Sequence, residues 1–185
     1  VKGGKKLVNK AVIIPTGDEI KEGIVLDTDS PMVMSFILKL NGDCHVERCR
    51  PTVDDEANIE QKIQQYLAEE FDLIILIGGS GGGHRYSKTL GKDFTHSALE
   101  GILDDKVVTE LYGKNGHLWS KLIAGRAGKT LVINIPGPFA EAEAAMSAFV
   151  ETFKEIGVDL KRINASMAEA VKKKYSLYNG FENQL

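Results

Sequence analysis

Two nearly unbroken apolar runs constrain the fold of this chain more than any other feature: Leu73 to Ile77, and Leu131 to Ile135. Each has the length of one strand, and neither alternates polar with apolar. That pattern predicts strands covered on both faces, as in the centre of a parallel sheet. Each run also ends abruptly. The first feeds into Gly78-Gly79-Ser80-Gly81-Gly82-Gly83, and the second into Pro136-Gly137-Pro138. A third short run, Ala11 to Ile14, stops at Pro15-Thr16-Gly17-Asp18.

Helical patterns fill the intervals. Ser30 and Pro31 suit an N-cap and a first helical residue. Met32, Val33, Phe36, Ile37 and Leu40 then share one face up to Asn41-Gly42. Asp54 or Asp55 is placed to cap a helix that buries Ile59, Ile63, Tyr66 and Leu67. Further helices are predicted over Thr95 to Leu103, Phe139 to Ile156 and Asp159 to Tyr175, with a tail from Tyr178. Gly23 to Leu26 and Cys44 to Arg50 read as extended pieces. Val107 to Gly128 reads as irregular or weakly stranded, with Gly113, Gly116, Gly125 and Gly128 as breakers. The alternation of strands and helices predicts an α/β layered fold around a largely parallel sheet, with ligands beyond the carboxyl ends of the strands.

Composition narrows the function classes. The chain has 185 residues, 43% of them hydrophobic, which suits one domain spanning residues 1–185. The balance of 23 Lys+Arg against 26 Asp+Glu gives no electrostatic footprint for nucleic acid. No apolar run reaches the length of a membrane helix. The basic start, Val1 to Lys6, has no apolar segment after it, so no secretory leader is expected. With Val1 in place of Met, the chain is expected to be trimmed, processed or a fragment. The expected compartment is the reducing cytoplasm. Cys44 and Cys49, five apart, would fall on opposite faces of a strand and make no disulfide framework.

The glycine excess, 19 against 5 prolines, concentrates in the run after Ile77. A loop without Cβ atoms lets backbone N–H groups approach an anion. The run is not a Walker A loop, because His84 and Arg85 follow Gly83 where Lys and Ser/Thr are required. Nor is it a dinucleotide fingerprint, because His84 stands at the third glycine position. Arg85 and His84, at its exit, can pair with an oxyanion. Three acidic pairs lie on turns: Asp18-Glu19, Asp27 with Asp29, and Asp54-Asp55. Such carboxylates serve as helix caps, as Mg²⁺ ligands, or as acceptors for the N–H donors of a heterocycle.

Taken in order, Thr16-Gly17-Asp18-Glu19, Asp27-Thr28-Asp29-Ser30, Asp54-Asp55, Asp72 to Gly81 and Pro136-Gly137-Pro138 resemble the molybdopterin-binding domain of molybdenum cofactor biosynthesis. That family includes molybdopterin adenylyltransferases, molybdenum insertases and competence-damage-type proteins. The resemblance covers about residues 12–153 and offers nothing for residues 159–185. Thr16 to Glu19 is similar to the insertase start, and Ala127 to Gly137 to the adenylyltransferase end. The resemblance implies a three-layer α/β/α sandwich and self-association as a trimer or dimer. It implies molybdopterin as substrate or ligand, bound by Gly78, Gly79, Ser80, Gly81 and Gly82 with Arg85. Pro136, Gly137 and Pro138 would be a second wall, and Glu19, Asp27 and Asp29 neighbouring acidic turns. Asp54 or Asp55 would be the catalytic acid near the nucleotide and Mg²⁺, with ATP supplying AMP.

The family's glycine loop is followed a few residues on by an Asp needed for chemistry. Counted from Gly78, that position falls at Tyr86, which cannot ligate Mg²⁺ as a carboxylate does. The extra glycines, Gly82 and Gly83, can shift the loop, and Asp93 can substitute as the acid. Three functions therefore stay open: an adenylyl transferase, a non-catalytic carrier, storage or sensing module for the cofactor, and a nucleotide- or phosphate-binding domain unrelated to molybdenum.

Overall fold

The structure, a computed structural model, describes residues 7–53, 55–79, 94–113, 116 and 118–178. Strand β1 (Lys10–Pro15) leads through a one-turn helix α1 (Asp18–Lys21) into α2 (Asp29–Leu40) and β2 (His45–Arg48). Helix α3 (Glu56–Ala68), β3 (Leu73–Ile77) and α4 (Phe94–Ile102) follow. A hairpin of β4 (Asp105–Tyr112) and β5 (Leu118–Ala127) turns into β6 (Thr130–Ile135), and the long helices α5 (Phe139–Ile156) and α6 (Leu160–Tyr178) close the described chain.

The six strands form one sheet in the order β2-β1-β3-β6-β5-β4. The four strands from β2 to β6 are parallel, and β5 and β4 add antiparallel pairs at one side. Helices cover both faces, giving the α/β/α sandwich. Leu73, Ile75 and Ile77 of β3 pack with Val33 and Ile37 of α2, Phe149 of α5 and Met167 of α6. Ile74 and Leu76 turn to the other face, against Ile59 and Ile63 of α3 and Leu99 of α4. All five β3 residues and all six of β6 are buried, as their largely apolar patterns require, with Thr130 and Asn134 of β6 buried on hydrogen bonds. Cys44 and Cys49 are free thiols in the two opposite cores.

Two expectations from the sequence fail. Gly23 to Leu26 is a loop, with no strand; Ile24 and Leu26 are 74% and 81% exposed. The amides of Ile24 and Val25 both donate to the carbonyl of Glu19, folding the segment back on α1. Val107 to Gly128, expected to be irregular or weakly stranded, instead falls in two full strands of the sheet, with one register shift between Leu111 and Tyr112. The inward row of β4 contains Thr109, which interrupts the apolar alternation. Thr109 is satisfied by Asn164 of α6, whose Nδ2 also donates to the carbonyls of Val107 and Leu122. Gly125 is no breaker either. It lies inside β5 because a Cβ there would meet Leu103 Cδ1 at 2.6 Å and Asp105 O at 2.7 Å.

Helix boundaries shift slightly. Helix α2 begins at Asp29, one residue before the expected cap, and the Asp27 carboxylate accepts from the amide and hydroxyl of Ser30. Asp55 caps α3 as anticipated, accepting from the Asn58 amide.

Candidate functional site

Parallel β1, β3 and β6 end together, and their exits build the site. At β3 the chain leaves through Gly78 and Gly79, with φ of +88° and +59°. Both lie in the left-handed region that favours glycine. The Gly78 amide donates to Ile135 O of β6. A Cβ on Gly78 would meet the carbonyl and hydroxyl oxygens of Thr16 at 3.1 Å; one on Gly79 would lie 2.2 Å from Thr95 Oγ1. The turn is thus wedged between the end of β1 and the first turn of α4, with no room for a side chain.

Thr16 anchors this edge. It is buried, and both its amide and its hydroxyl donate to Ile77 O at 2.9 Å. It also bridges Thr52, which brings the connection from β2 to α3 alongside. Gly137 follows the buried Pro136, and a Cβ on it would be 3.6 Å from Gly78 Cα. The exit of β6 therefore lies directly against the glycine turn, where a second wall is expected.

The acidic turns prove unlike one another. Asp27 accepts from Ser30 at 2.6 and 2.9 Å and from Arg48 of β2 at 2.6 and 2.8 Å. Burial alone would raise its pKa, but the bonds from Ser30 and Arg48 outweigh that and hold the carboxyl below its ordinary range. Asp29 is 6% exposed, and its hydroxyl partner, Thr28, stands 3.4 Å away. Burial, with the charge of Asp27 adding to it and the Thr28 bond opposing, pushes Asp29 up to about 6. Glu19 is exposed, its carboxylate 3.4 Å from where a Gly17 Cβ would sit. Asp55 is exposed at the α3 cap, bonded to the amide and side chain of Asn58.

A cavity of about 590 Å³ lies on the β2 side of β1, lined by Ile24, Leu26, Asp27, Ser30, Met34 and Arg48 among others. Its size and its mostly apolar lining, with one ion pair, are those of a small-molecule pocket.

The structure thus brings Gly78, Gly79, Pro136 and Gly137 together, and puts Asp27 and Asp29 at the start of α2. Asp54, Ser80, Gly81, Gly82, His84, Arg85, Tyr86 and Asp93 lie outside the described residues. Among the described residues, no three acidic, His or Cys side chains gather as a metal site. Thr16 was visible in the sequence as part of a motif, without its anchoring role, and three residues at this edge escaped it: Arg48, His96 and Asn134. One had a signal, since Asn134 is the sole polar residue between Leu131 and Ile135.

A doubly covered, mostly parallel sheet whose central strands open into a glycine turn defines a small-molecule-binding α/β protein. More narrowly, the chain belongs to the molybdopterin-binding domain family: the family described as "Probable molybdopterin binding domain" matches residues 12–155. It is 25% identical to molybdenum cofactor biosynthesis protein B of Staphylococcus carnosus over 135 residues, 68% of this chain and 75% of that protein. It is 26% identical to a molybdenum cofactor biosynthesis bifunctional protein of Chlorobaculum tepidum over 143 residues, 76% of this chain but 45% of that protein. Among solved structures, the molybdopterin biosynthesis enzyme MoaB of Thermus thermophilus superposes with a TM-score of 0.56 at 21% identity, covering 80% of this chain and 96% of that one. Among the described residues, no helix is long and apolar enough to cross a membrane.

Proposed function

We propose that the protein binds molybdopterin by its phosphate at the turn that opens with Gly78 and Gly79, and adenylylates it with MgATP. One observation carries this proposal: two consecutive glycines of positive φ, pressed between Thr16 and Thr95 at the carboxyl edge of the sheet. Such a turn presents bare backbone to an anion. Membership of the molybdopterin-binding family, and similarity to a molybdenum cofactor biosynthesis protein B, support the choice of pterin.

In the reaction, an oxygen of the terminal molybdopterin phosphate attacks the α-phosphorus of ATP. The bond from that phosphorus to the bridging oxygen breaks, and pyrophosphate leaves with magnesium. The chain contributes position and charge stabilisation. Ser80, Gly81, Gly82 and Arg85 continue the phosphate cradle, and Pro136, Gly137 and Pro138 form its second wall. Glu19, Asp27 and Asp29 belong to the heterocycle side, next to the 590 Å³ cavity. Magnesium arrives with ATP and keeps several waters, so one or two carboxylates suffice to hold it. Asp54 and Asp55 fill that role, with Asp93 as the acid after the glycine run. The protein works in the cytoplasm, as a dimer or trimer that light scattering would register.

Incubation with molybdopterin and MgATP tests this, following adenylylated molybdopterin and pyrophosphate. Loss of product in Asp93→Asn, with Tyr86→Phe unchanged, assigns the acid. Pterin retained without product leaves a carrier, storage or sensing module. Failure to retain molybdopterin at all overturns the proposal.

A further inference from the structure

Beyond the glycine turn lies a fork in the sheet. Strands β5 and β6 pair only from Ala124 with Ile133 to Ala127 with Thr130. Toward the site β6 continues beside β3, through Asn134 opposite Leu76 and Ile135 opposite Ile77. There β5 departs with β4. A fork of this kind strands backbone groups that the ladder would have paired.

The Asn134 side chain replaces the ladder. Its Oδ1 accepts from the Ile123 amide at 2.6 Å, and its Nδ2 donates to Lys121 O at 2.9 Å. His96 of α4 enters the same fork, with Nε2 2.7 Å from Lys121 O. A carbonyl only accepts, so Nε2 carries the proton and Lys121 O receives two N–H donors. Asn134 is fully buried, and His96 is 5% exposed. Burial first, then the nearby Lys121 ammonium, push the ring down to about 4 against the opposing Lys121 carbonyl bond, Glu100 and Glu110. It is a neutral donor across the physiological range.

Each partner adjoins a contact that fixes the glycine turn. His96 follows Thr95, whose side chain fills the space over Gly79. Asn134 precedes Ile135, whose carbonyl holds the Gly78 amide. We propose that His96 and Asn134 are positioning residues: joined through Lys121 O, they hold α4 and the end of β6 at the spacing that sets the Gly78-Gly79 turn for its anion. The part concerning the anion rests on the phosphate-binding role proposed above; the part concerning the turn does not. Merely filling the fork would need only apolar side chains and no shared acceptor, which is the alternative the test addresses.

The test compares His96→Phe, which keeps the ring and loses the donor, with His96→Gln, which restores an N–H. Amide exchange at Gly78 in His96→Phe rises about tenfold or more while Ile75, in mid-strand, is unchanged. Molybdopterin affinity falls by a similar factor, about tenfold, as a misplaced cradle predicts. His96→Gln recovers both. Unchanged exchange at Gly78, or an equal rise at Gly78 and Ile75, overturns the proposal and leaves a structural pair. Should wild type fail to bind molybdopterin, the function proposed above falls, and the exchange comparison still decides the positioning role. If His96→Phe does not fold, His96→Asn, whose shorter amide falls short of Lys121 O, is read by the same two measurements.

Discussion

The tightness of the glycine turn can be put to a direct test with Gly79→Ala. At φ +59° an L residue costs about 1–2 kcal/mol relative to glycine. The new Cβ would also lie 2.2 Å from Thr95 Oγ1, 2.9 Å from Thr95 Cβ and 3.3 Å from Thr16 Oγ1. Relief requires Thr95 to retreat by about 1 Å, toward an ordinary contact of ~3.5 Å. Thr95 sits at the start of α4, so this is overpacking of a built wedge, worth about 1–3 kcal/mol more. Gly128→Ala is the matched control: its φ is +57°, and nothing lies within 4 Å of its added Cβ. At about 3 °C per kcal/mol for a chain of this size, the control melts roughly 3–6 °C below wild type and Gly79→Ala a further 3–9 °C lower. Calorimetry reads both. Molybdopterin binding, measured well below either midpoint, falls about tenfold or more in Gly79→Ala and stays at the wild-type level in the control. If the two variants melt together and bind alike, Thr95 yields freely and the wedge does not shape the turn.

Two further perturbations read the scaffold. Asp29 is raised to about 6, so its native carboxyl holds a proton more tightly than the unfolded one. Its stabilising contribution is therefore present below about pH 4 and lost as pH rises through about 6. Asp29→Asn, which cannot ionise, is expected to be more stable than wild type at pH 8 by about 1–3 kcal/mol and equal to it at pH 4 in urea melts. An equal gap at both pH values would refute the burial of that charge. Asn164→Ala strips donors from the carbonyls of Val107 and Leu122 and the acceptor from Thr109. It should cost about 3 kcal/mol in urea unfolding, with amide exchange in β4 rising first. A loss under about 1 kcal/mol would show that water replaces the amide.

The parallel half of the molecule was legible in the sequence because burial there is two-sided. Leu73 to Ile77 has no polar face to offer, so only a central strand fits it, and Gly78 marks where it must stop. Helix α5, observed over the span anticipated from Phe139 to Ile156, instead buries one face at helical spacing, through Ala142, Ala145, Met146, Phe149 and Phe153. The antiparallel half was not legible, because its polar residues are satisfied at long range. Thr109 looks like a break in an apolar row until Asn164, on α6, supplies its partner. Gly125 looks like a breaker until Leu103 and Asp105 fill the place of its side chain. Of the site, the glycine turn and the Pro136-Gly137 exit were visible as local composition. The fork was not, because it depends on where β5 parts from β6.

The acidic turns show how far residue type alone can carry a site. Spacing made Asp27, Asp29 and Asp55 equivalent candidates, and their environments separate them. Asp27 accepts four short bonds from Ser30 and Arg48 and stays ionised as part of the frame that starts α2. Such a carboxylate has little capacity left for a metal and is best suited to shape the cavity wall beside it. Asp29 is the reverse: poorly bonded, buried and raised to about 6, it sits near the boundary where a ligand's own N–H or charge would decide its protonation. Asp55 is exposed and held by Asn58, which leaves a solvated carboxylate next to the β2–α3 connection that Thr52 ties to Thr16. Under the function proposed above, a magnesium ion carried in on a nucleotide would keep most of its waters and favour a carboxylate of that third kind. The division follows from burial and partners: Asp27 is tied into the start of α2, Asp29 is buried with one long bond, and of the three Asp55 is the exposed one, at the α3 cap.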